Sequence, residues 1–340
     1  MALTMPTSKS SIKGRLLIDR PGWNRTKRRG CLKKVLLLGL GVIVFSSPAD
    51  GQDSAATFEF RDHDVVIRDG KNVIARYVFS DAEIPRPYLC DVAAPNQFQV
   101  TRRHPPKPDL DATDHATMHP GIWLAFGDLS GSDFWRNRAT IQHVEFLSDA
   151  QDDGEPRTLR ERKRYLSKDG KRLCEEEFSL QVIVLKNAFV FEFDSVFTSD
   201  QEFFFGDQEE MGLGVRAATE LAENAGGSMK SSGGAESAKV IWGQPAEWCD
   251  LSRAIEQDKV GVAIFCHREN FRSSCMHARD YGLMTANLFG REAMKQGERS
   301  RITVQPGEEF RLRYAVFVYA VPAERTIDIE HFYQDYLERN

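Results

Sequence analysis

The sequence predicts an all-β fold in which two large antiparallel sheets pack face to face and a short C-terminal helix follows. After residue 51, almost every apolar segment alternates apolar and polar residues with the two-residue period of a half-buried strand. Asp-Gly pairs at residues 69–70 and 169–170 divide two of these segments, and this dipeptide is typical of tight hairpin turns. So many long strands require two packed sheets.

The N-terminal segment has the features of an export signal. Basic KRRGCLKK (residues 27–34) precedes apolar VLLLGLGVIVF (residues 35–45), and small residues follow. This apolar run is shorter than the roughly 20 residues that span a bilayer. We therefore predict a signal peptide over residues 1–51 and an exported protein, periplasmic or extracellular, with a single-span anchor as the alternative.

The long strands begin with two hairpins. The first covers residues 63–79 and the second covers residues 160–185, each turning at its Asp-Gly pair. Residues 189–197 continue the second hairpin as a third strand, with phenylalanine at every second position of its first half and acidic residues between. These three long strands form a predicted meander.

The rest of the chain supplies further strands and one helix. Strands are predicted at residues 202–216, 239–243, 260–267, 281–289 and 309–321. Residues 326–340 have the apolar spacing of an amphipathic helix. Residues 223–237 are rich in Gly and Ser and are predicted to be a solvated surface loop that tolerates deletion of residues 226–234. We predict one domain over residues 52–340 because either flank of this loop alone would leave strands without partners.

Charge and cysteine content exclude several classes of function. Residues 52–340 contain 35 basic and 48 acidic side chains, a net charge of −13, which repels nucleic acid. No second apolar run is long enough to span a membrane, so integral membrane association is excluded after signal cleavage. The five cysteines of this region form no CxxC pair, and most are predicted to be small buried side chains.

The stretch TDHATMHPGIWLAFGDLSGSDFW, residues 113–135, has the composition of a pocket wall. It mixes aromatic side chains with groups that bind protons, metals or sugar hydroxyls. Its candidate ligand-binding residues are His115, His119, Asp128, Asp133 and Trp135. With His104 upstream, His115 and His119 are weak metal candidates, because Pro120 disfavours the helical geometry that would align two histidines.

The stretch GDQEEMGLGVR, residues 206–216, supplies the candidate catalytic carboxylates. Read as a strand entered through three phenylalanines, it places Glu209 or Glu210 against a partly apolar wall, which raises the pKa of a carboxyl group towards values useful in proton transfer. Adjacent residues of a strand point to opposite faces. One of the two is therefore predicted to be solvated or paired with Arg216.

Two later stretches add aromatic and polar candidates. In IWGQPAEWCDLS, residues 241–252, Trp248 offers a face for a pyranose ring and Asp250 an acceptor for its hydroxyls, whereas Trp242 is predicted to pack in the core. Residues 266–290 contain too many donors for solvation alone to explain. Their candidates are His277, Arg279, Asp280, Tyr281 and Asn287, with an Arg279–Asp280 ion pair as the structural alternative.

Four ordered stretches resemble an exported bacterial family of unknown function that is often labelled PmoA-like, or "methane oxygenase PmoA". They are HPGIWLAFGDLSGSDFW, FFFGDQEEMGLGVR, VIWGQPAEWCD and HARDYGLMTANLFG. Phe126 stands where the family pattern has a histidine before the Gly-Asp pair, and Cys275 and Met276 replace an aromatic pair. The resemblance implies a galactose-mutarotase-like supersandwich, a fold that is shared by sugar epimerases, polysaccharide lyases and glycoside-hydrolase domains. Methane-oxygenase activity conflicts with the lack of spanning segments.

The leading hypothesis is an exported carbohydrate-active protein that performs acid/base chemistry on a sugar by epimerisation or C–O cleavage. Glu209 or Glu210 would be the base and His277 or His119 the acid, all lining one pocket with Trp248 at its edge. Trp135, Trp248 and Tyr281 would stack on the ring, and Arg216, Arg279 and Asn287 would hold its oxygens. The alternatives are a non-catalytic glycan-binding or scaffold protein and a soluble metal-dependent oxidoreductase. No cofactor is predicted, and the expected partner is a carbohydrate or other small polar substrate.

Overall fold

The computed structural model describes residues 54–147 and 158–339, and strands account for nearly half of these residues. In chain order the strands are β1 (Ser54–Ala55), β2 (Thr57–Phe60), β3 (Asp64–Asp69), β4 (Asn72–Val78), β5 (Tyr88–Cys90), β6 (Ile122–Phe126), β7 (Thr140–Phe146), β8 (Thr158–Leu166), β9 (Arg172–Leu185), β10 (Ala188–Thr198), β11 (Phe203–Phe205), β12 (Met211–Arg216), β13 (Ser228–Ser231), β14 (Trp248–Ile255), β15 (Asp258–Cys266), β16 (Cys275–Arg279), β17 (Leu283–Asn287), β18 (Ile302–Val304) and β19 (Phe310–Pro322). The helices are α1 (Ala238–Ile241) and α2 (Ile329–Arg339). The predicted signal peptide lies outside the described residues.

Two large antiparallel sheets carry the fold. The nine-stranded sheet of the described chain has the order β13-β14-β15-β19-β10-β9-β8-β7, with β1 paired to β9, and the eight-stranded sheet has the order β16-β17-β12-β6-β5-β4-β3-β2. Strands β11 and β18 pair separately. The predicted fold class, a two-sheet antiparallel sandwich with a short C-terminal helix, is confirmed.

Both predicted Asp-Gly hairpins form, and the third strand of the meander follows. Strands β3 and β4 turn at Gly70, and β8 and β9 turn at Gly170; both glycines have positive φ, which suits a tight turn. In β10, Phe189, Phe191 and Phe193 face the core between the sheets, as their alternation predicts. The intervening residues face the other side of the sheet.

The C-terminal helix covers the outer face of the nine-stranded sheet. Asp328 accepts a hydrogen bond from the backbone N–H of His331 at 3.1 Å and so caps the start of α2. Tyr333 and Tyr336 are buried in a second core with Phe265 and Phe317 of β15 and β19. Both faces of this sheet are thus occupied where α2 lies. Among the described residues, no helix is long and apolar enough to cross a bilayer.

The inter-sheet core contains buried charged groups in addition to apolar ones. Lys163 Nζ lies 3.4 Å from Glu176 Oε1, and Ser195 Oγ donates to the same oxygen at 2.7 Å. Glu161 accepts hydrogen bonds from the Tyr77 hydroxyl across the sheets and from His143 Nδ1. These partners satisfy the buried carboxylates, which would otherwise destabilise the core.

The predicted strand over residues 202–216 is wrong because it divides into β11 and β12, which join different sheets. Asp207 accepts hydrogen bonds from the backbone N–H groups of Arg291, Glu292, Ala293 and Ser300. Asn287 Nδ2 donates to the carbonyl oxygens of Gln208 and Glu209 at 2.8 and 2.9 Å. These bonds replace a strand ladder, so Glu209 and Glu210 lie in a loop.

The predictions for residues 223–237 and 239–243 are also wrong. Residues 228–231 form the edge strand β13 paired with β14, and Met229 is buried despite the Gly/Ser-rich surroundings. Residues 238–241 form the short helix α1, because Glu223 Oε2 accepts the Ala238 N–H at 2.8 Å and the Ile241 N–H bonds to the Ser237 carbonyl. A four-residue apolar run is too short to distinguish helix from strand. All five cysteines within the described residues are free.

Candidate functional site

The candidate polar side chains collect on one face of the eight-stranded sheet. Cross-strand register places Trp123, Gly214, Thr285 and His277 in one row over β6, β12, β17 and β16. Residues paired in register point to the same face. The alternate row of Leu124, Leu213, Ala286 and Met276 belongs to the core. The face that carries Trp123, Thr285 and His277, opposite this core row, is called the site face below.

Gly214 makes room for two indole rings on the site face. A Cβ atom at Gly214 would lie 2.7 Å from the Trp123 ring and 2.9 Å from the Trp135 ring, closer than real Cβ contacts. Both indoles therefore lie directly on the backbone of β12. Trp135 is fully buried, so the prediction that its ring stacks on a ligand is wrong.

Glu209 is the centre of the polar group at the edge strand β16. Its Oε1 atom accepts a hydrogen bond from Trp242 Nε1 at 2.7 Å and pairs with the Arg279 guanidinium. His277 Nε2 lies 3.4 Å from the same oxygen, and His277 Nδ1 lies 3.2 Å from the main-chain oxygen of Glu209. Three side chains, those of Trp242, Arg279 and His277, thus meet at one carboxylate.

The protonation states of this group follow from burial and charge. Burial lowers the pKa of His277 to about 4, with Glu209 opposing the shift and Arg279 adding to it. Burial alone would raise the pKa of Glu209, but His277, Trp242 Nε1–H and Arg279 outweigh it and lower that pKa. At neutral pH Glu209 is ionised and His277 is neutral. A neutral His277 that donates from Nδ1 to the Glu209 carbonyl keeps an unprotonated Nε2 beside the carboxylate.

Glu210 lies in a different environment from its neighbour. It forms an ion pair with Arg136, which Asp133 in turn holds through an Nη1–Oδ2 hydrogen bond of 3.0 Å. Burial raises the pKa of Glu210, since it outweighs the opposing Arg136 cation, and the nearby Glu209 adds to the rise. Two adjacent carboxyl groups therefore have pKa values shifted in opposite directions, which is typical of acid/base sites. Arg136, not Arg216, is the partner of Glu210.

A stack of four aromatic rings extends along the site face from Trp123. His119 stacks on Trp123 with ring centroids 5.1 Å apart, His115 stacks on His119 at 4.9 Å, and Tyr281 lies parallel to His115 at 6.2 Å. The Arg216 guanidinium lies over the Tyr281 ring, 4.3 Å from its centroid. The Tyr281 ring thus packs against His115 and Arg216, and its stacking on a ligand stays a prediction.

Asp114 closes this stack and was missed as a site residue. Its carboxylate accepts two hydrogen bonds from the buried Arg216, at 2.7 and 2.9 Å, and a third from His115 Nδ1 at 2.8 Å. It lies within the stretch of residues 113–135, but its partner is 102 residues away in sequence. The spacing of charged residues does not reveal such a long-range pair.

Several buried polar atoms on the site face have no hydrogen-bond partner within the described residues. They are the indole nitrogens of Trp123 and Trp135, both ring nitrogens of His119, Thr285 Oγ1 and His277 Nε2. Buried donors and acceptors are rarely left unpaired in proteins. Trp123, Thr285 and His277 lie on one cross-strand row, and His119 and Trp135 pack against Trp123 at its end. Trp123 and His277 lie at opposite ends of the row, roughly 14 Å apart at three strand spacings of about 4.8 Å.

His119 is a poor candidate for the acid because its surroundings disfavour the charged imidazolium. Burial, reinforced by Arg216 and His115, holds its pKa well below the usual range. Its ring is 2% exposed and sandwiched between Trp123 and His115. Of the two predicted acid candidates, His119 therefore forms part of the wall, and its convergence with His277 in one pocket stays a prediction.

Other predicted residues have structural roles. Trp248 and Asp250 lie on the nine-stranded sheet, where Trp248 Nε1 donates to Glu330 of α2 and Asp250 accepts from Tyr319. Asp128 accepts the Gly131 N–H in a turn, and Asn287 uses its amide to hold the loop that carries Glu209. These hydrogen bonds give the four side chains structural roles, and substrate binding by them stays a prediction. Arg279 pairs with Glu209, not with Asp280.

The three candidate metal-binding histidines do not converge. His104 packs edge-on against Tyr88, whereas His115 and His119 stack face to face. Within residues 54–147 and 158–339, no three His, Cys, Asp or Glu side chains are arranged to hold a metal ion.

Comparison with solved structures gives matches of low sequence identity and low TM-score. A galactose mutarotase related enzyme from Lactobacillus acidophilus is 10% identical, with 80% of this chain and 100% of that chain covered and a TM-score of 0.35. A galactose mutarotase-like protein from Clostridium acetobutylicum is 10% identical, with 79% and 94% covered and a TM-score of 0.32. An alpha-galactosidase from Lactobacillus brevis is 9% identical over 79% of this chain, with a TM-score of 0.37, and the chain spans only 39% of its length.

Sequence comparison identifies the family. No curated protein sequence matches the chain. A family described as of unknown function matches residues 64–329, and this description gives no support to the methane-oxygenase label. Because the match covers most of the chain, including both sheets and the site face, the chain belongs to the DUF6807 family.

Proposed function

We propose that this chain is an exported carbohydrate-active protein that binds a hydroxyl-rich ring on the site face. The row of buried, unpaired polar atoms from Trp123 through Thr285 to His277 carries this proposal. It offers an indole N–H donor, a hydroxyl that both donates and accepts, and an imidazole acceptor. A sugar hydroxyl also both donates and accepts, so it can satisfy each of these groups in turn.

The chemistry of this site is acid/base. The neutral His277 and the ionised Glu209 together form a proton acceptor, because a proton taken up on Nε2 would be stabilised by the carboxylate 3.4 Å away. Glu210, whose pKa burial raises, is the proton donor. The acid and the base of this assignment are still drawn from Glu209, Glu210 and His277. His277, which was predicted as the acid, is now part of the base. Epimerisation or C–O cleavage of a sugar uses such a pair.

A non-catalytic glycan-binding protein is the second candidate, and one observation favours it. Glu209 is already engaged by Trp242 and Arg279, and Glu210 by Arg136. Carboxylates held in this way are rigid acceptors for hydroxyl groups, and binding requires no proton transfer. Both candidate functions use the same site. They differ in whether replacing Glu209 or Glu210 by Gln changes turnover.

The test uses a panel of neutral aldoses and hexuronic acids. Binding is measured by calorimetry, and anomer exchange, epimerisation and cleavage are followed by NMR. We expect at least one sugar to bind wild type, and His277→Gln to weaken it about tenfold or more, the scale of one lost hydrogen bond to a buried polar group. Glu324→Gln, an exposed carboxylate that follows β19 of the nine-stranded sheet, is the matched control.

The outcomes separate the candidates. If Glu209→Gln and Glu210→Gln abolish turnover while binding persists, the chain is an enzyme. If binding persists and no sugar turns over in wild type, the chain is a binding protein. Wild type that binds no sugar, or His277→Gln that binds as wild type does, would refute the proposal.

Export is tested separately by fractionating a bacterial host that expresses the full chain. We expect the protein outside the cytoplasm, with an N-terminus between residues 50 and 53. Retention of residues 27–45 on exported material would contradict cleavage and favour the single-span anchor.

A further inference from the structure

A groove of about 530 Å³ runs along the edge strand β16, next to the site face. Three segments form its walls: the turn at residues 223–224, the start of α1 with Trp242, and the end of β16 at residues 278–280. This groove, called the edge groove, was not among the sites that the sequence predicts. Its volume is large enough for a small ligand.

Hydrogen bonds between the segments fix the walls of the edge groove. The Asn224 N–H bonds to the Asp280 carbonyl at 3.0 Å, and the Glu223 carboxylate accepts the Ala238 N–H at 2.8 Å. The Gly243 N–H bonds to the Met276 carbonyl at 2.9 Å and holds the chain after Trp242 against β16. The groove is therefore preformed, and a ligand need not order it.

The lining of the edge groove suits a neutral sugar ring. Trp242 is partly exposed and offers an aromatic surface. Lys239 and Asn224 provide exposed donors, and Asp280 and Ser237 provide acceptors. The basic and acidic groups balance, which disfavours a ligand of high charge. An aromatic surface ringed by mixed donors and acceptors matches the C–H face and the hydroxyls of a pyranose.

The edge groove and the site face share two residues. Trp242 and Arg279 line the groove, and both also contact the carboxylate of Glu209. Arg279 lies two residues after His277 on the same strand, so its side chain points to the same face. A ligand that occupies the groove therefore reaches the groups that hold Glu209.

We propose that the edge groove is a second sugar subsite, so that the ligand of this chain is an oligosaccharide that spans the groove and the site face. This inference rests on the proposed function, since the first ring must bind beside His277 and Glu209. The second ring stacks on Trp242, and its hydroxyls bond to Lys239, Asn224 and Asp280. The ligand bridges the edge of the sheet at β16.

The test compares sugars of increasing length. Calorimetry measures the affinity of wild type for the monosaccharide found to bind and for the di-, tri- and tetrasaccharides that contain it. We expect the affinity to rise about tenfold or more between one ring and two or three, the scale of one stacked and hydrogen-bonded ring. The double variant Asn224→Ala/Lys239→Ala should lose most of this gain and keep the affinity for the monosaccharide.

Controls make the failure of each proposal visible. Lys168→Ala/Asp62→Ala, an exposed pair on distant turns, should leave both affinities unchanged. His277→Gln should weaken the monosaccharide and the oligosaccharides alike. Equal affinity for one ring and for several, or a double variant that keeps the full gain, would overturn the subsite and leave the proposed function intact. If wild type binds no sugar of any length, both proposals fail.

Discussion

Replacing Asp114 by Asn tests whether the buried Arg216 depends on this carboxylate for its charge balance. The Arg216 side chain is 1% exposed, and Asp114 accepts two hydrogen bonds from it at 2.7 and 2.9 Å. In the variant, a buried guanidinium would lose its only close anion among the described partners. The shape of the side chain is nearly unchanged, so the loss of stability reports the charge.

The size of the effect follows from the exposure of the two partners. Unit charges about 4 Å apart interact by roughly 4 kcal/mol at an effective dielectric constant near 20 and by roughly 1 kcal/mol in water. Asp114 is 38% exposed, so solvent screens part of the interaction. We therefore expect Asp114→Asn to lower the free energy of unfolding by about 2–3 kcal/mol at pH 7.

The pH dependence of this loss has a defined sign. Burial alone would raise the pKa of Asp114, but the hydrogen bonds from Arg216 and His115 outweigh it and hold that pKa well below its usual range. A carboxyl group with a lowered pKa in the folded state stabilises the protein above the unfolded pKa of about 3.9, and the contribution is lost as the pH falls through the folded value. The difference between wild type and variant should stay constant from pH 8 to pH 5 and shrink only below about pH 4.

Urea denaturation followed by tryptophan fluorescence at pH 7, 5 and 3.5 provides the measurement. Asp109→Asn, an exposed carboxylate five residues away, is the matched control and should change the stability by less than about 0.5 kcal/mol. A loss at pH 7 no greater than that of the control, or a difference that shrinks between pH 7 and pH 5, would refute the reasoning.

Three further predictions concern the nine-stranded sheet, each measured by urea denaturation. Burial raises the pKa of Asp250 to about 6, so the contribution of Asp250 to the free energy of unfolding is full below pH 4 and is lost as the pH rises through 6. The free energy of unfolding of Asp250→Asn should therefore rise relative to that of wild type by about 3 kcal/mol between pH 4 and pH 8. A difference that stays constant over this range would contradict the prediction. Met229→Ala should lower the free energy of unfolding by about 2–4 kcal/mol, because Met229 is buried on the strand of residues 228–231. The adjacent, exposed Lys230→Ala should lower it by less than about 0.5 kcal/mol. Equal small losses would restore the surface-loop interpretation. Lys163→Met should lower the free energy of unfolding by about 3–5 kcal/mol, because it leaves Glu176 buried without its cation. Arg162→Met on the same strand should lower it by less than about 1 kcal/mol. Similar losses from the two variants would show that the buried pair is not required.

The sequence predicts the fold well where the signal is local. Asp-Gly pairs and alternation specify the two hairpins and the strand after them, because turn chemistry and a two-residue period act between neighbours. The boundaries of β12 could not be predicted in the same way. Glu209 and Glu210 lie in a segment that was predicted to be one strand. Instead, Asn287 binds the main-chain carbonyls of residues 208 and 209, and Asp207 binds the Arg291 N–H, and these partners are distant in sequence.

The sequence predicted the types of residue that form the site, but not which of the candidate residues belong to it. His277, Glu209 and Arg279 were predicted candidates and meet at one point, because His277 and Arg279 lie on the edge strand β16 and the loop that carries Glu209 leads into β12 of the same sheet. Trp248 has an equally suitable side chain, yet its strand joins the other sheet and faces α2. Which sheet a strand joins depends on long-range pairing, which alternation does not encode. Trp242 was misplaced for a different reason, since it follows the helix α1 and a short apolar run does not distinguish helix from strand.

The anchoring of the loop that carries Glu209 has a thermodynamic consequence. Asp207 fixes the loop through four backbone N–H groups, and Asn287 fixes it through two carbonyl oxygens while its own oxygen accepts two further N–H groups. A loop fixed in this way has little conformational entropy left to lose when a ligand arrives. Little of the interaction enthalpy of a ligand is then offset by ordering of the loop. A rigid loop also cannot reshape itself around a poor ligand, so a mismatched ligand leaves polar atoms unsatisfied and dissociates quickly.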